Sequence, residues 1–89
     1  MNRSGAGHTV TLMTRAGCCL CERATTQLQR LADELGFALT STDVDVAAAE
    51  GNTALRAEYG DRLPVVLLDE IEHSYWEVDE EALRADLSG

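Results

Sequence analysis

The spacing of apolar residues predicts a strand, a long helix and a second strand in the first half of the chain. Residues 8–14, HTVTLMT, alternate in polarity and are rich in β-branched side chains, which is typical of a strand. Between Cys18 and Gly36 the apolar residues recur at steps of three and four, as they do along the buried face of a helix. Residues 37–46, FALTSTDVDV, alternate again and predict a second strand, which should run parallel to the first because a helix connects them.

The second half of the chain predicts a short helix, a hairpin and a final helix. Asn52 is a favourable N-cap and Gly60 a favourable helix end, so a short helix is expected between them. The apolar run 64–69, PVVLLD, predicts a strand that is covered on both faces, and residues 71–78 predict its antiparallel partner. Asp79 then caps a last helix. The predicted order is βαβ-α-ββα, which is an α/β fold.

The chain length and the lengths of its apolar segments indicate the number of domains and the expected location of the protein. Residues 1–7 have no periodicity and are expected to form a flexible tail, whereas residues 8–89 are expected to form a single domain. No apolar run reaches the roughly 18 residues of a membrane-spanning helix, and the first residues contain no signal-peptide core. We therefore expect a cytoplasmic protein.

The net charge of the chain indicates which classes of binding partner are unfavourable. Sixteen acidic residues stand against seven basic ones, which gives a formal net charge of −9. A field of that sign repels nucleic acid and anionic lipid. We therefore expect neither a nucleic-acid nor a membrane partner, and we expect a monomer.

Three cysteines lie together where the first strand meets the first helix, in the segment TRAGCCLCERA. Cys18 would lie at the first helical turn and Cys21 one turn further on, close enough for their sulfurs to form a reversible disulfide. The unpaired N–H groups of the helix start, with the charge of Arg15 nearby, favour a thiolate at Cys18. Cys18 is therefore the predicted nucleophile and Cys21 the resolving thiol, while Cys19 is most simply an incidental thiol.

Two other functions fit the same cysteines. Three thiolates do not complete a four-coordinate zinc or iron–sulfur site, so a metal-binding module would need ligands from a second copy or from external thiols. The prediction is that no metal is bound. A non-catalytic interaction domain with the same fold is the other alternative.

Three segments of the chain together resemble a known family. TLMTRAGCCLCERA, YGDRLPVVLLD and WEVDEEALRADL follow one another in the order and spacing of a glutaredoxin-like protein of the thioredoxin superfamily. The resemblance covers about residues 8–88 and is closest to the small members with a Cys-x-Leu-Cys motif. It implies a thioredoxin-like fold with a four-stranded mixed sheet flanked by three helices, and activity as a thiol–disulfide oxidoreductase.

The resemblance also implies roles for particular residues. Cys18 and Cys21 match the nucleophile and the resolving cysteine of the family. Pro64 matches a proline that follows a cis peptide bond, in a loop that lies against the cysteine pair. The backbone of Leu63 would then pair with the extended chain of the substrate, beside the mixed disulfide.

The expected substrate is a disulfide, either in a protein or in a small thiol compound. Glutathione-using glutaredoxins usually carry a Gly-Gly-x-Asp-like segment after the strands that the proline opens, where this chain has DEIEHSYWEVDEE. We therefore expect no bound cofactor, with glutathione as the alternative thiol co-substrate. Arg15 and Arg62, in loops expected near Cys18, would attract such an anionic thiol.

Overall fold

Within residues 5–88, which the computed structural model describes, the chain forms four strands and four helices. The strands are β1 (Thr9–Thr14), β2 (Ala38–Asp43), β3 (Val65–Leu68) and β4 (Ile71–Tyr75). The helices are α1 (Cys19–Leu35), α2 (Val44–Ala49), α3 (Ala54–Tyr59) and α4 (Glu80–Ser88). None of these helices is both long and apolar enough to cross a membrane.

The strands form one mixed sheet in the order β2-β1-β3-β4. β1 is parallel to β2 and antiparallel to β3, and β3 is antiparallel to β4. The parallel pair is the one that α1 connects, as a βαβ crossover requires. The α/β fold with a four-stranded mixed sheet, predicted from the sequence, is confirmed.

Helix α1 has the limits and the buried face that the sequence predicts. Cys18 is its N-cap and Gly36 its C-cap, and the glycine adopts a left-handed φ of 86° that suits a residue without a Cβ atom. The buried residues of the helix are Cys21, Ala24, Leu28, Leu31 and Leu35. Because this stripe packs on the sheet, the first turn of the helix, which carries the cysteines, has a fixed position.

The sheet has a hydrophobic cluster on each face. On one face, Val10 and Leu12 of β1 pack with the buried residues of α1 other than Cys21 and with Leu83 of α4. On the other face, Met13 of β1 packs with Val44, at the start of α2, and with partly buried residues of α3. Neighbouring residues of β1 therefore contribute to opposite clusters, as the alternation along a strand requires.

The predicted strand over residues 37–46 is wrong at its end. β2 stops at Asp43, and residues 44–49 form helix α2, so four helices rather than three accompany the sheet. The Asp43 carboxylate accepts hydrogen bonds from the backbone N–H groups of Asp45 and Val46. This N-cap supplies partners for two amide groups that would otherwise have none, and it outweighs the β-branched alternation that predicted a strand.

Asn52 is not the N-cap of the following helix, contrary to the prediction. α3 is preceded by Thr53, whose side chain makes no capping hydrogen bond. The N–H of Asn52 instead donates to the carbonyl oxygen of Ala47 at 2.8 Å, so Asn52 belongs to the turn that closes α2. Gly60 ends α3, as predicted.

The predicted hairpin is present, but its second strand is shorter than the predicted 71–78. Asp69 and Glu70 form the two-residue turn with φ angles of 50° and 72°, as turns between antiparallel strands require. β4 then ends at Tyr75, because Trp76 adopts a φ of 69° that a regular strand does not allow.

The predicted tail over residues 1–7 is described only in part. Residues 1–4 lie outside the described residues. Gly5 is buried, and its N–H donates to the carbonyl oxygen of Leu35 at 2.9 Å. A Cβ atom at Gly5 would lie 3.0 Å from the carbonyl oxygen of Leu35 and from the backbone nitrogen of Phe37, so the chain passes close to the end of α1 at this point.

Candidate functional site

The cysteine motif lies at the start of α1, with its three thiols in different environments. Cys18 is partly exposed, Cys19 is exposed and Cys21 is buried, and all three are free thiols. The sulfur of Cys18 accepts a hydrogen bond from the backbone N–H of Cys21 at 3.2 Å, which makes Cys18 the side-chain cap of the helix. A reachable sulfur at the helix start is thus followed one turn later by a buried one.

The environment of Cys21 keeps its thiol protonated. Burial raises the pKa of Cys21 from 9.0 to about 11, and a hydrogen bond to Cys18 acts in the same direction. The backbone and the positive charge of Arg15 act in the opposite direction but are weaker than burial. Burial is the largest of these effects, so Cys21, which the sequence predicts to be the resolving thiol, is a weaker acid than an ordinary cysteine.

Arg15 is held by a carboxylate of helix α2. Its Nε and Nη2 atoms donate to the two oxygens of Asp45 at 2.7 and 3.2 Å, and Arg56 lies 3.6 Å from the same carboxylate. These contacts raise the pKa of Arg15 and lower that of Asp45. The charge of Cys18 contributes to the raised pKa of Arg15, which links the guanidinium to the cysteine motif. Asp45 therefore fixes Arg15 and offsets part of its charge.

Arg62 is also engaged by neighbouring groups. It donates to both oxygens of Glu72, at 3.1 and 2.7 Å, and to the backbone carbonyl of Glu58 at 2.6 Å. A further contact reaches Asp61, and the guanidinium lies 5.4 Å from the ring centre of Tyr59. The guanidinium thus ties the end of α3 to β4, and an anionic substrate would have to compete with these carboxylates for it.

The peptide bond between Leu63 and Pro64 is cis, as the family resemblance implies. Pro64 is buried, and Leu63 packs against the cluster beneath α2 and α3. The carbonyl oxygen of Pro64 accepts a hydrogen bond from the N–H of Trp76 at 2.7 Å. The proline loop is thereby joined to the residue that follows β4.

A groove beside the motif contains residues that the sequence analysis did not select. It has a volume of about 290 Å³ and is lined by Leu20, Arg23, Ala24, Gln27, Trp76, Glu77 and Val78. Trp76 is 57% exposed, and its ring meets that of Tyr75 edge to face, with 5.0 Å between centroids. The adjacent aromatic residues of the segment SYWEV were the one signal in the sequence that pointed to this groove.

A second pocket, of about 190 Å³, reaches Cys21 from another side of the motif. It is lined by Thr14, Arg15, Ala16, Gly17, Cys21, Glu22, Thr25, Ser41 and Asp43. Its volume is far above the roughly 10–15 Å³ that one water molecule needs, and its lining is polar enough to hold water. Water in this pocket would lie next to Cys21.

The possible metal ligands of the described chain do not form a cluster. Within residues 5–88, no group of three or more histidine, cysteine, aspartate and glutamate side chains is arranged to hold a metal ion. His8 pairs with Asp69 at 2.6 Å and His73 with Asp86 at 2.7 Å, so both histidines have carboxylate partners. A metal-binding role would therefore rest on the cysteine thiolates and on ligands from outside the chain.

Comparison with known proteins identifies similar sequences and folds. A model of the Glutaredoxin-like domain (DUF836) matches residues 9–88. The uncharacterized proteins Rv0508 of Mycobacterium tuberculosis and Mb0520 of Mycobacterium bovis are each 65% identical to the chain over 79 residues. The match covers 89% of this chain and 81% of each of theirs.

Solved structures share the fold. Protein Ne2328 of Nitrosomonas europaea, determined by NMR in solution, superposes with a TM-score of 0.77 at 29% identity, over 99% of this chain and all of its own. A mutant thioredoxin of Halobacterium salinarum gives a TM-score of 0.61 at 24% identity, over 97% of this chain and 73% of its own. Thioredoxin O2 of Arabidopsis thaliana gives 0.59 at 18% identity, over 96% and 76%. The two thioredoxins show that the fold is thioredoxin-like.

Proposed function

Because the chain belongs to the glutaredoxin-like domain (DUF836) family, we propose that it is a thiol–disulfide oxidoreductase that uses Cys18 and Cys21. The observation that carries this proposal is the hydrogen bond at the start of α1, in which the sulfur of Cys18 accepts from the N–H of Cys21. A donor N–H at a helix start stabilises negative charge on sulfur, and a thiolate is the form that attacks a disulfide. The buried thiol of Cys21, one turn away, is the partner that completes the reaction.

The proposed reaction has two steps. The Cys18 thiolate attacks one sulfur of the substrate disulfide, forms a mixed disulfide and releases the other substrate sulfur as a thiolate. Cys21 then loses its proton and attacks the sulfur of Cys18, which forms the Cys18–Cys21 bond and releases the second substrate thiolate. The substrate gains two electrons and the protein is oxidised to its disulfide, while the two released thiolates take up the proton of Cys21 and one proton from water.

The return of electrons and the binding of substrate complete the proposal. Two molecules of glutathione, or one dithiol protein, supply the two electrons that reduce the Cys18–Cys21 bond, and they leave as a disulfide. The backbone of Leu63, before the cis bond to Pro64, pairs with the extended substrate chain. We place this reaction in the cytoplasm, where closely spaced cysteines more often serve catalysis than structure.

Controlled oxidation tests the cysteine pair. The reduced protein, which has three thiols, should keep one thiol after treatment with one equivalent of a mild oxidant and should lose two mass units. The Cys19→Ser variant should form the same bond, because Cys19 takes no part in it. The Cys18→Ser and Cys21→Ser variants should be unable to form it within one chain. The measurements are a thiol count and the mass of the intact protein.

Equilibration of the wild-type couple with glutathione and thioredoxin buffers would then identify the electron donor. A wild-type protein that still has three thiols after treatment with the oxidant would overturn the proposal. A bond that survives in Cys21→Ser and disappears in Cys19→Ser would assign the resolving role to Cys19 instead.

A further inference from the structure

Trp76 combines backbone strain with exposure, although it lies in the folded part of the chain. Its φ of 69° is in the left-handed region, which glycine adopts readily and bulky residues rarely do. Its indole is 57% exposed, although an indole normally contributes most when it is buried. Strained residues persist where the surrounding structure holds them, and they are concentrated at functional sites. Core packing does not account for this conformation.

The position of Trp76 connects it to the proposed site. Its N–H is bonded to the carbonyl oxygen of Pro64, and its ring lines the same groove as Leu20, which lies between Cys19 and Cys21. A substrate chain that extends from a disulfide at Cys18 along the first turn of α1 would reach the groove at Leu20, two residues further on.

Three of the five most exposed large apolar side chains of the described residues line the groove or contact a residue that lines it. Among residues 5–88, the large apolar residues with high exposure are Leu20, Val46, Ile71, Tyr75 and Trp76. Leu20 and Trp76 line the groove, and the ring of Tyr75 rests against Trp76. An exposed group of this kind marks a surface that binds a partner.

Electrostatics indicates what kind of chain fits the groove. The protein has a net charge of −9, and Glu77 lines the groove next to the indole. An exposed indole face attracts a lysine or arginine side chain within about 6 Å, and the neighbouring carboxylate adds to that attraction. Arg23 is the single cationic side chain among the residues that line the groove, and its charge opposes the binding of a basic side chain there. Glutathione disulfide carries four carboxylates and meets the repulsion of the whole protein.

We propose that Trp76 determines specificity by receiving, in this groove, a basic polypeptide segment that flanks the cysteine of the substrate disulfide. The inference rests on the proposed function and names its substrate class. The segment lies across the indole with its cationic side chain between Trp76 and Glu77. The substrate is accordingly a disulfide in a polypeptide rather than in glutathione.

Reduction of a matched set of disulfides tests the proposal. The set contains three versions of one peptide disulfide, whose residues beside the cysteine are basic, neutral or acidic. It also contains glutathione disulfide and hydroxyethyl disulfide, and the latter is too small to reach the groove. For the wild-type protein, kcat/KM should fall in the order basic, neutral, acidic, with glutathione disulfide below the neutral peptide. The advantage of the basic peptide should shrink as salt is added.

Two variants distinguish an effect on binding in the groove from an effect on the reaction of the cysteines. Trp76→Gly should lower kcat/KM for the basic peptide about tenfold and leave hydroxyethyl disulfide unchanged, because it removes the indole and not the thiols. Glycine also suits the left-handed φ, so the variant should unfold at no lower denaturant concentration than the wild type. Ile71→Ala, which removes another exposed apolar side chain, is the matched control and should change neither rate.

Direct binding gives an independent readout, since Trp76 is the only tryptophan of the chain. In a Cys18→Ser variant, which does not react, the basic peptide should change the indole emission and the acidic peptide should not. An unchanged kcat/KM in Trp76→Gly, or a preference for the acidic peptide or glutathione disulfide, would overturn the inference and leave the proposed function standing. A wild-type protein that reduces none of the disulfides, hydroxyethyl disulfide included, would instead contradict the proposed function.

Discussion

The step in which Cys21 releases the substrate should depend steeply on pH. Burial and the hydrogen bond to Cys18 raise the pKa of Cys21 to about 11 in the reduced protein, from an ordinary value of 9.0. In the mixed disulfide, Cys18 carries no charge, but the burial of Cys21 remains. The pKa that governs release should therefore lie between these two values.

The magnitude follows from the fraction of Cys21 that is ionised. At pH 7 this fraction is about one molecule in 100 for a pKa of 9.0 and about one in 10,000 for a pKa of 11. The fraction rises nearly tenfold per pH unit while the pH is well below the pKa, and for the lower pKa the rise slows as the pH approaches 9. The rate of release should therefore increase about 50- to 100-fold between pH 7 and pH 9.

An aromatic disulfide reagent that releases a coloured thiolate makes both steps visible in a stopped-flow experiment. With the Cys19→Ser variant, the first release of colour reports attack by Cys18 and depends on the reagent concentration. The second release reports attack by Cys21 and should be independent of that concentration. Adding the Cys21→Ser substitution should remove the second release and retain the first. A second release that stops rising below pH 8 would show that Cys21 is not desolvated, which would refute this account of the pair.

Two further predictions concern stability. Leu28 is completely buried in α1, so Leu28→Ala should lower the free energy of unfolding in urea by about 2–5 kcal/mol. Leu20→Ala, on the same helix but 47% exposed, is the matched control and should cost less than about 1 kcal/mol. The N–H of Thr9, followed by the side chain of His8, lowers the pKa of Asp69 below its ordinary 3.8. The stabilisation that this carboxylate provides is therefore present above pH 3.8 and is lost as the pH falls through its lower pKa in the folded protein. Urea unfolding between about pH 2 and pH 5 should accordingly show a smaller acid-dependent loss of stability in Asp69→Asn than in the wild type, and equal losses would contradict this assignment.

The elements that the sequence predicted well are those whose signals are local. The stripe of apolar residues along α1 and the glycine at its end lie within a few helical turns of each other, and so do the cysteines. Periodicity and capping residues are enough to specify such an element. The two-residue hairpin turn of Asp69 and Glu70 was predicted for the same reason.

The errors arose where two local signals competed. Residues 37–46 alternate like a strand, yet Asp43 caps a helix that begins within them. The alternation of Val44 and Val46 fits both a strand end and the first turn of a helix that buries Val44 alone. Since an N-cap and a β-branched run each contribute on the order of 1 kcal/mol, the sequence does not show which one prevails.

The partners of the predicted arginines depend on tertiary structure. Arg15 meets Asp45, thirty residues away, and this carboxylate lies in the helix that the sequence analysis did not predict. Arg62 meets Glu72 across the space between α3 and β4. Contacts of this kind form when helices and strands pack together. The sequence therefore indicated the two arginines but not the carboxylates that neutralise their charge.

The two thiols of the site depend on local structure, whereas the groove that is proposed to recognise the substrate depends on tertiary structure. The two thiols lie within one turn of a single helix, so the fold needs only the first turn of α1 to bring them together. The groove needs that turn and the segment after β4, where Trp76 donates a backbone hydrogen bond to Pro64. Under the proposed function, a substitution at Trp76 should therefore change which disulfide is accepted without moving either sulfur. The proposal thus assigns the reaction to the cysteine motif and the choice of substrate to the residues after β4.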